Sequence, residues 1–91
     1  LAARRMLPDT TWVDIWLGRN YARMDDYDRA ERAYRDATER EPSFIQGWIG
    51  LGDIAVRRGQ TEVARRSYER ALAIDPTHDS TRKKLARLTE R

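Results

Sequence analysis

Residues 42–76 read PSFIQGWIGLGDIAVRRGQTEVARRSYERALAIDP, and this stretch gives the clearest indication of the fold. Apolar and small residues follow helical spacing from Phe44 to Arg58, pause at Gly59-Gln60, and resume it from Thr61 to Ile74. Asp75-Pro76 ends the second run, because proline disfavours the helical conformation of the residue before it. The stretch therefore predicts two helices joined by a tight turn.

The same pattern recurs along the chain at a spacing of 34 residues, without a gap. Recurrence at one fixed period is the signature of a repeat architecture. The recurring positions are proline, leucine, a small residue after the leucine, alanine and tyrosine: Pro8, Pro42 and Pro76; Leu17, Leu51 and Leu85; Gly18, Gly52 and Ala86; Ala3, Ala37 and Ala71; Ala30 and Ala64; Tyr34 and Tyr68.

The first unit repeats the helical reading of the second. Helical spacing runs from Thr11 to Met24 and again from Tyr27, and Asp25-Asp26 forms the turn between them, since aspartate tolerates turn geometry. A last helix is predicted from Asp79 to about Glu90, with Asp79 or Ser80 as its N-cap. The chain is therefore expected to be all-α.

These units resemble the tetratricopeptide repeat, whose pattern is W-x2-L-G-x2-Y, then A-x3-F, then P. The second unit has Trp48, Leu51 and Gly52, then Ala64, Tyr68 and Pro76, with Ala55 at the first tyrosine position. The first unit has Leu17, Gly18 and Tyr21, then Ala30, Tyr34 and Pro42, with Asp14 at the tryptophan position. The resemblance implies an α-solenoid of antiparallel helix pairs wound as a right-handed superhelix.

The register divides the chain into four parts. Residues 1–10 correspond to the end of a preceding repeat, 11–44 and 45–78 to two full repeats, and 79–91 to a C-terminal capping helix. Polar Arg82 and Thr89 stand where the pattern has apolar residues, which suits a capping helix with a solvated outer face. The mid-helix glycines Gly18 and Gly52 indicate a close approach of the paired helix, with Ala30 and Ala64 as small partners.

Composition excludes several classes of protein. The 91 residues contain no cysteine, so disulfide frameworks and cysteine-based zinc sites are excluded. No apolar run is long enough for a transmembrane helix or a signal peptide, and the cytoplasm is the default expectation for the compartment. The formal net charge of +3 arises in residues 77–91, because residues 1–76 carry equal numbers of acidic and basic side chains.

The resemblance also implies a function, namely binding of a protein or peptide in a concave groove lined by the first helix of each repeat. The groove positions implied by the family are Trp12, Ile15, Trp16, Arg19, Ala22, Arg23, Gln46, Ile49, Gly50, Asp53, Val56, Arg57, Ser80, Lys83, Lys84, Arg87, Glu90 and Arg91. Trp12, Trp16 and Ile49 are expected to anchor apolar groups, and the arginines and lysines to attract an acidic segment. The tryptophans have a second interpretation, which is packing against residues 1–7.

A carboxylate clamp of the kind found in heat-shock co-chaperones is not expected. It requires Lys, Asn, Asn, Lys and Arg at five groove positions, which here hold Ile15, Arg19, Gly50, Ser80 and Lys84. Only the last of these five matches in charge.

Other functions have weaker support in the sequence. His78 is interpreted as an exposed loop residue, and Asp25, Asp26 and Asp28 as a capped turn instead of a metal site. No catalytic motif, cofactor or metal site is therefore predicted. Two alternatives to peptide binding stay open: a helical repeat that binds single-stranded RNA, which the charge neutrality of residues 1–76 disfavours, and self-association to a homodimer through residues 1–24.

Overall fold

The computed structural model describes residues 9–89 of the chain, and it shows five helices and no strand in that part. The helices are α1 (Asp9–Arg23), α2 (Tyr27–Arg40), α3 (Ile45–Arg57), α4 (Thr61–Ile74) and α5 (Asp79–Thr89). Helix α1 packs on α2 and α3 packs on α4, while α2 contacts α3 and α4 contacts α5. The chain is thus an all-α solenoid of helix pairs, elongated to 51 × 30 × 17 Å.

The predicted helix limits agree with the observed ones to within two residues. The turns within the two pairs both contain one residue with a positive φ, Asp25 at 59° and Gly59 at 74°. These two positions are 34 residues apart, so one backbone turn is used twice with different residues. Asp26 caps α2, because its Oδ1 accepts a hydrogen bond from the backbone N–H of Arg29 at 3.2 Å.

The predicted N-cap of α5 is wrong. The helix begins at Asp79, so neither Asp79 nor Ser80 precedes it as the cap. His78 takes that place: the backbone N–H of Thr81 donates to its Nδ1 at 3.4 Å, and the Thr81 hydroxyl lies 2.8 Å from the same nitrogen. His78 lies in the loop before α5, as expected, but it is half-buried and caps the helix, so its interpretation as an exposed residue is wrong.

The recurring spacing of glycine and tyrosine in the two repeats has a direct packing cause. A Cβ on Gly18 would lie 2.7 Å from the ring of Tyr34, and a Cβ on Gly50 would lie 2.3 Å from the same ring. The Tyr34 ring thus packs between a glycine of its own unit and a glycine of the next unit. Tyr68 meets Gly52 in the same way, at 2.4 Å. The glycines therefore accommodate tyrosine rings, a role beyond the predicted contact with small alanines.

Two small clusters form the core, as expected for a repeat in which each unit buries its face only against its neighbours. The first joins buried residues of α1, α2 and α3: Ile15, Ala30, Tyr34, Ala37 and Ile54. The second joins Ala55, Ala64 and Tyr68, against which Leu85 and Leu88 of α5 pack. Ala30 and Ala64 are fully buried, so the helix pairs approach closely at these positions.

Asp14, the departure from the family pattern, is buried in this arrangement. Its Oδ2 accepts a hydrogen bond from Nε of Arg40, at the end of α2, at 3.2 Å, and Nη2 of the same arginine lies 3.1 Å from this oxygen. The aromatic residue of the pattern is thus replaced by an ion pair that ties α1 to the end of α2. In the second unit Trp48 keeps that position, with its Nε1 donating to the Pro42 carbonyl at 2.9 Å.

Candidate functional site

Helices α1, α3 and α5 share one face, on which the residues predicted for the groove come together. A central depression of about 190 Å³ is lined by all three helices. Its lining comprises eight predicted groove residues and two that were not predicted, Tyr34 and His78: Ile15, Arg19, Tyr34, Gln46, Ile49, Gly50, Asp53, His78, Ser80 and Lys84. We call the face formed by α1, α3 and α5 the concave face.

The two isoleucines of this set belong to the core. Ile15 is 3% exposed and Ile49 is 7% exposed, so both form the floor of the depression. The expectation that Ile49 offers an apolar anchor does not fit this burial, because little of its surface can be reached by a ligand. Apolar anchoring on the concave face falls to the tryptophans instead.

Trp12 and Trp16 are 50% and 63% exposed. Together with Val13, Ile15 and Arg19 they line a cleft of about 320 Å³ at the α1 end of the concave face. The Trp12 ring contacts Phe44 edge-on, with centroids 4.8 Å apart, so its aromatic partner is Phe44. The alternative in which the tryptophans pack against residues 1–7 involves residues outside the described part of the chain.

Two further clefts on the concave face collect basic side chains. Arg19, Arg23 and Arg57 line a cleft of about 440 Å³ between α1 and α3, next to Trp16 and Tyr34. Arg57, Lys84 and Arg87 line a cleft of about 300 Å³ between α3 and α5, next to Val56 and Leu88. Among residues 9–89, Asp53 is the one carboxylate that lines either cleft.

This distribution changes the interpretation of the net charge. The sequence places the excess of +3 in the last helix, whereas the fold brings basic residues of α1 and α3 beside those of α5. The concave clefts therefore carry a positive charge that does not depend on α5 alone. Low-dielectric walls and like-signed charges concentrate the potential in such clefts.

Asp53 lies at the centre of this basic surface and has two partners. The Tyr68 hydroxyl donates to its Oδ1 at 2.6 Å, and Lys84 Nζ lies 3.1 Å from Oδ1 and 3.2 Å from Oδ2. Burial and the nearby Asp53 carboxylate raise the pKa of Tyr68 far above its ordinary value. Burial, followed by the charge of Asp53, also raises the pKa of Tyr34. Lys84, which is predicted to attract acidic groups of a ligand, is thus paired with a carboxylate of its own chain.

Arg57 links the two repeats while remaining exposed. Its Nη1 donates to the Tyr27 hydroxyl at 3.2 Å and lies 3.9 Å from Asp25, and its guanidinium lies 6.0 Å from the centre of the Tyr27 ring. The hydrogen bond to Tyr27 raises the pKa of Arg57. Arg58 continues the link by pairing with Asp28 and, at 2.9 Å, with Glu31.

The acidic turn of the first repeat is therefore occupied by protein partners. Asp25 accepts from the Tyr27 hydroxyl at 3.1 Å, Asp26 caps α2, and Asp28 pairs with Arg58. These contacts agree with the interpretation of the three aspartates as a capped turn.

Not every predicted groove residue lines a concave cleft. Lys83 points to Asp79 of its own helix, with its Nζ 3.4 Å from the carboxylate, and none of the clefts includes it. Glu90 and Arg91 lie outside the described residues. Tyr34 and His78, which the sequence reasoning missed, lie in the second helix and the loop, whereas the family pattern assigns the groove to first helices.

A separate cleft of about 400 Å³ opens on the other side of the solenoid, between α2 and α4. Trp48, Leu51 and Ile54 of α3 line it, and the Arg70 guanidinium lies 4.3 Å from the centre of the Trp48 ring. We call it the convex cleft. The sequence analysis did not anticipate it.

Comparison with known proteins agrees with the repeat architecture. Residues 17–79 match the family model described as tetratricopeptide repeat. The chain is 31% identical over 68 residues to human tetratricopeptide repeat protein 7A, and 36% identical over 61 residues to human protein O-mannosyl-transferase TMTC1. It is 28% identical over 85 residues to putative cellulose synthase operon protein C of Escherichia coli O157:H7.

These matches cover 75%, 67% and 93% of the chain but only 8%, 7% and 7% of the respective relatives. The chain therefore spans less than a tenth of the length of each of these proteins. Among the helices at residues 9–89, none is long and apolar enough to cross a membrane.

Proposed function

This chain belongs to the tetratricopeptide-repeat family, and we propose that it is a non-enzymatic adaptor that binds a segment of a partner protein on its concave face. Repeats of this family generally mediate interactions between proteins. The observation that carries the proposal is the concave face itself, where clefts from three helices join side by side. The cleft at Trp12 and the basic cleft between α1 and α3 share Trp16 and Arg19. The two basic clefts share Arg57.

The charge of the concave face supports an acidic ligand. Arg19, Arg23, Arg57 and Arg87 line the basic clefts, and arginine binds carboxylates in a bidentate manner. Such a surface also accelerates the encounter with an acidic partner. We therefore infer that the bound segment carries several aspartate or glutamate residues.

The tryptophan cleft supports an apolar residue at one end of that segment. Trp12 and Trp16 offer exposed aromatic surface directly beside Arg19, and tryptophan and arginine are enriched among the residues that dominate binding energy. Adjacent helices are about 10 Å apart, so crossing from α1 to α5 takes roughly 20 Å. An extended peptide spans that distance with about six residues.

A matched pair of charge reversals tests this proposal. The probe is a fluorescein-labelled synthetic peptide of one leucine followed by five glutamates, and fluorescence anisotropy measures its dissociation constant. Arg23→Glu alters a basic cleft, whereas Arg66→Glu makes the same charge change at an exposed position of α4 outside the concave clefts. We expect Arg23→Glu to weaken binding about tenfold or more and Arg66→Glu about twofold or less.

Equal losses in the two variants would show that only net charge matters and would refute the groove. A uridine oligonucleotide in the same assay tests the RNA alternative. Tighter binding of that oligonucleotide, with a steep dependence on salt, would favour RNA as the ligand.

Self-association is a second candidate, favoured by the exposed apolar side chains on α1. Trp12, Val13 and Trp16 are each about half exposed or more, and together they form a patch that a second copy could cover. Light scattering over a range of concentrations measures it. A mass that rises with concentration in the original chain but not in Trp16→Glu supports the dimer, and a constant monomer mass refutes it.

A further inference from the structure

Asp53 occupies an unusual place on a surface that otherwise carries positive charge. It lines the central depression and both basic clefts, which lie on either side of α3. Its side chain is 44% exposed, which leaves the carboxylate accessible to a ligand. A ligand that lies across the concave face therefore meets Arg19 and Arg23 on α1, Asp53 and Arg57 on α3, and Arg87 on α5.

We propose that Asp53 selects the ligand by favouring a hydrogen-bond donor or a cation between two acidic stretches, and that it weakens the binding of uniform polyanions. The inference rests on the proposed function, since it concerns the same concave face. It commits to a peptide of mixed charge, with its acidic side chains on the arginines and its donor on Asp53.

The Asp53 carboxylate can accept one more hydrogen bond than its partners in the chain donate. An ionised carboxylate has about four lone-pair positions. Tyr68 and Lys84 use Oδ1, and Lys84 also approaches Oδ2 at 3.2 Å. One acceptor direction on Oδ2 is left for a donor from the ligand.

Placing an anionic group of the ligand next to Asp53 is unfavourable. Lys84 is already engaged with Asp53 in a direct ion pair, so that lysine offers less attraction to a carboxylate of the ligand. A ligand acid above Asp53 would face a like charge while displacing the water around it. Repulsive elements of this kind are a general means of excluding wrong partners.

The distances between the three helices also fit a peptide with a donor between two acidic stretches. Asp53 is on α3, the middle helix, with Arg19 and Arg23 on α1 to one side and Arg87 on α5 to the other. With helices about 10 Å apart and about 3.3 Å per extended residue, the donor follows about three residues from either acidic contact. A nucleic-acid backbone carries one charge on every nucleotide and does not leave such a gap.

A lysine scan of the peptide probe against Asp53→Asn tests the proposal. Five peptides each replace one glutamate of the leucine–pentaglutamate probe by lysine. Asparagine keeps the Oδ1 acceptor for Tyr68 but removes the charge. We expect Asp53→Asn to bind the all-glutamate probe about 3- to 10-fold more tightly, the size of one charge near the protein surface. It should bind the peptide with lysine near its middle more weakly than the original chain does.

Two variants control for charge and for folding. Asp36→Asn removes one acid from α2, away from the concave clefts, and should change all peptides by the same small factor. Asp53→Glu keeps the charge and should keep the preference for the lysine-containing peptide. Thermal unfolding by circular dichroism confirms that each variant is folded.

The pattern across peptides decides the outcome. Coupling of Asp53 to one central peptide position supports the proposal. An Asp53→Asn effect that is equal for all six peptides would show that Asp53 acts only through net charge and would overturn it. Failure of every peptide to bind the original chain would instead refute the proposed function.

Discussion

Gly52→Ala is the substitution for which two physical effects predict opposite signs. Alanine in the middle of a helix is favoured over glycine by about 1 kcal/mol. In this structure, however, a Cβ on Gly52 would lie 2.4 Å from Cε1, 2.6 Å from Cδ1 and 2.9 Å from Cζ of Tyr68. Distances this short require the ring or the helix to move.

The Tyr68 ring has little room to move. Its hydroxyl is fixed to Asp53 at 2.6 Å, and the side chain is 2% exposed between α3 and α4. Overpacking of a core typically costs about 1–3 kcal/mol, so after the gain in helix propensity the net effect of Gly52→Ala is a loss of up to about 2 kcal/mol. For a domain of this size a loss of that size lowers Tm by up to about 15 °C.

Thermal unfolding followed by circular dichroism measures this prediction. Gly52→Leu should be more severe and loosen or unfold the second repeat. The double variant Gly52→Ala/Tyr68→Leu supplies the control, because a smaller and flexible side chain relieves the contact and the two changes should couple. A higher Tm for Gly52→Ala alone would mean that helix propensity outweighs the contact, and would refute the argument from packing.

Three further predictions concern backbone, charge and pH. Gly59→Ala should lower stability by about 1 kcal/mol, because Gly59 has a φ of 74° and no neighbouring atom is involved; urea denaturation measures this, and an unchanged midpoint would contradict it. Arg40→Met should cost about 1–3 kcal/mol in the same assay, because it leaves the buried Asp14 carboxylate without its partner; a loss no larger than that of Arg66→Met would contradict it. Stability should hold up to pH 10.0, the ordinary tyrosine pKa, and fall above it, because Tyr34 and Tyr68 have a raised pKa in the folded chain; unfolding that does not depend on pH between 9 and about 12 would contradict this.

Arg57→Glu illustrates how the structure refines an experiment suggested by the sequence. The groove assignment alone implies a loss of binding with nearly unchanged stability. The contacts of Arg57 with Tyr27 and Asp25 add only a small loss of stability, because the side chain is 55% exposed and solvent screens its charge. Arg23 is therefore the better position for testing ligand binding.

The fold could be predicted because its signals are local and repeat. The spacing of apolar residues predicts the limits of the helices, and Pro42 and Pro76 indicate the end of each repeat. The 34-residue period provides two copies of each signal. A position that departs from the repeat pattern in one unit can therefore be assigned from the equivalent position in the other unit. The turn shows this well, since Asp25 and Gly59 adopt the same positive φ at equivalent positions.

The details of the candidate site depend on contacts between units, which periodicity does not contain. Whether Lys84 is free or paired depends on its distance to Asp53, a residue 31 positions earlier. Ile49 occupies a groove position by register, yet its side chain reaches the core. Tyr34 and His78 enter the site from the second helix and the loop, and no rule based on first helices could include them.

Chemical-shift mapping shows where on the chain an acidic peptide binds. Uniformly 15N-labelled chain is titrated with the leucine–pentaglutamate peptide, and amide shifts are followed residue by residue. Binding on the concave face predicts shifts concentrated on α1, α3 and α5, at Arg19, Arg23, Asp53, Arg57 and Arg87. Shifts concentrated on α2 and α4 around the convex cleft would contradict the account.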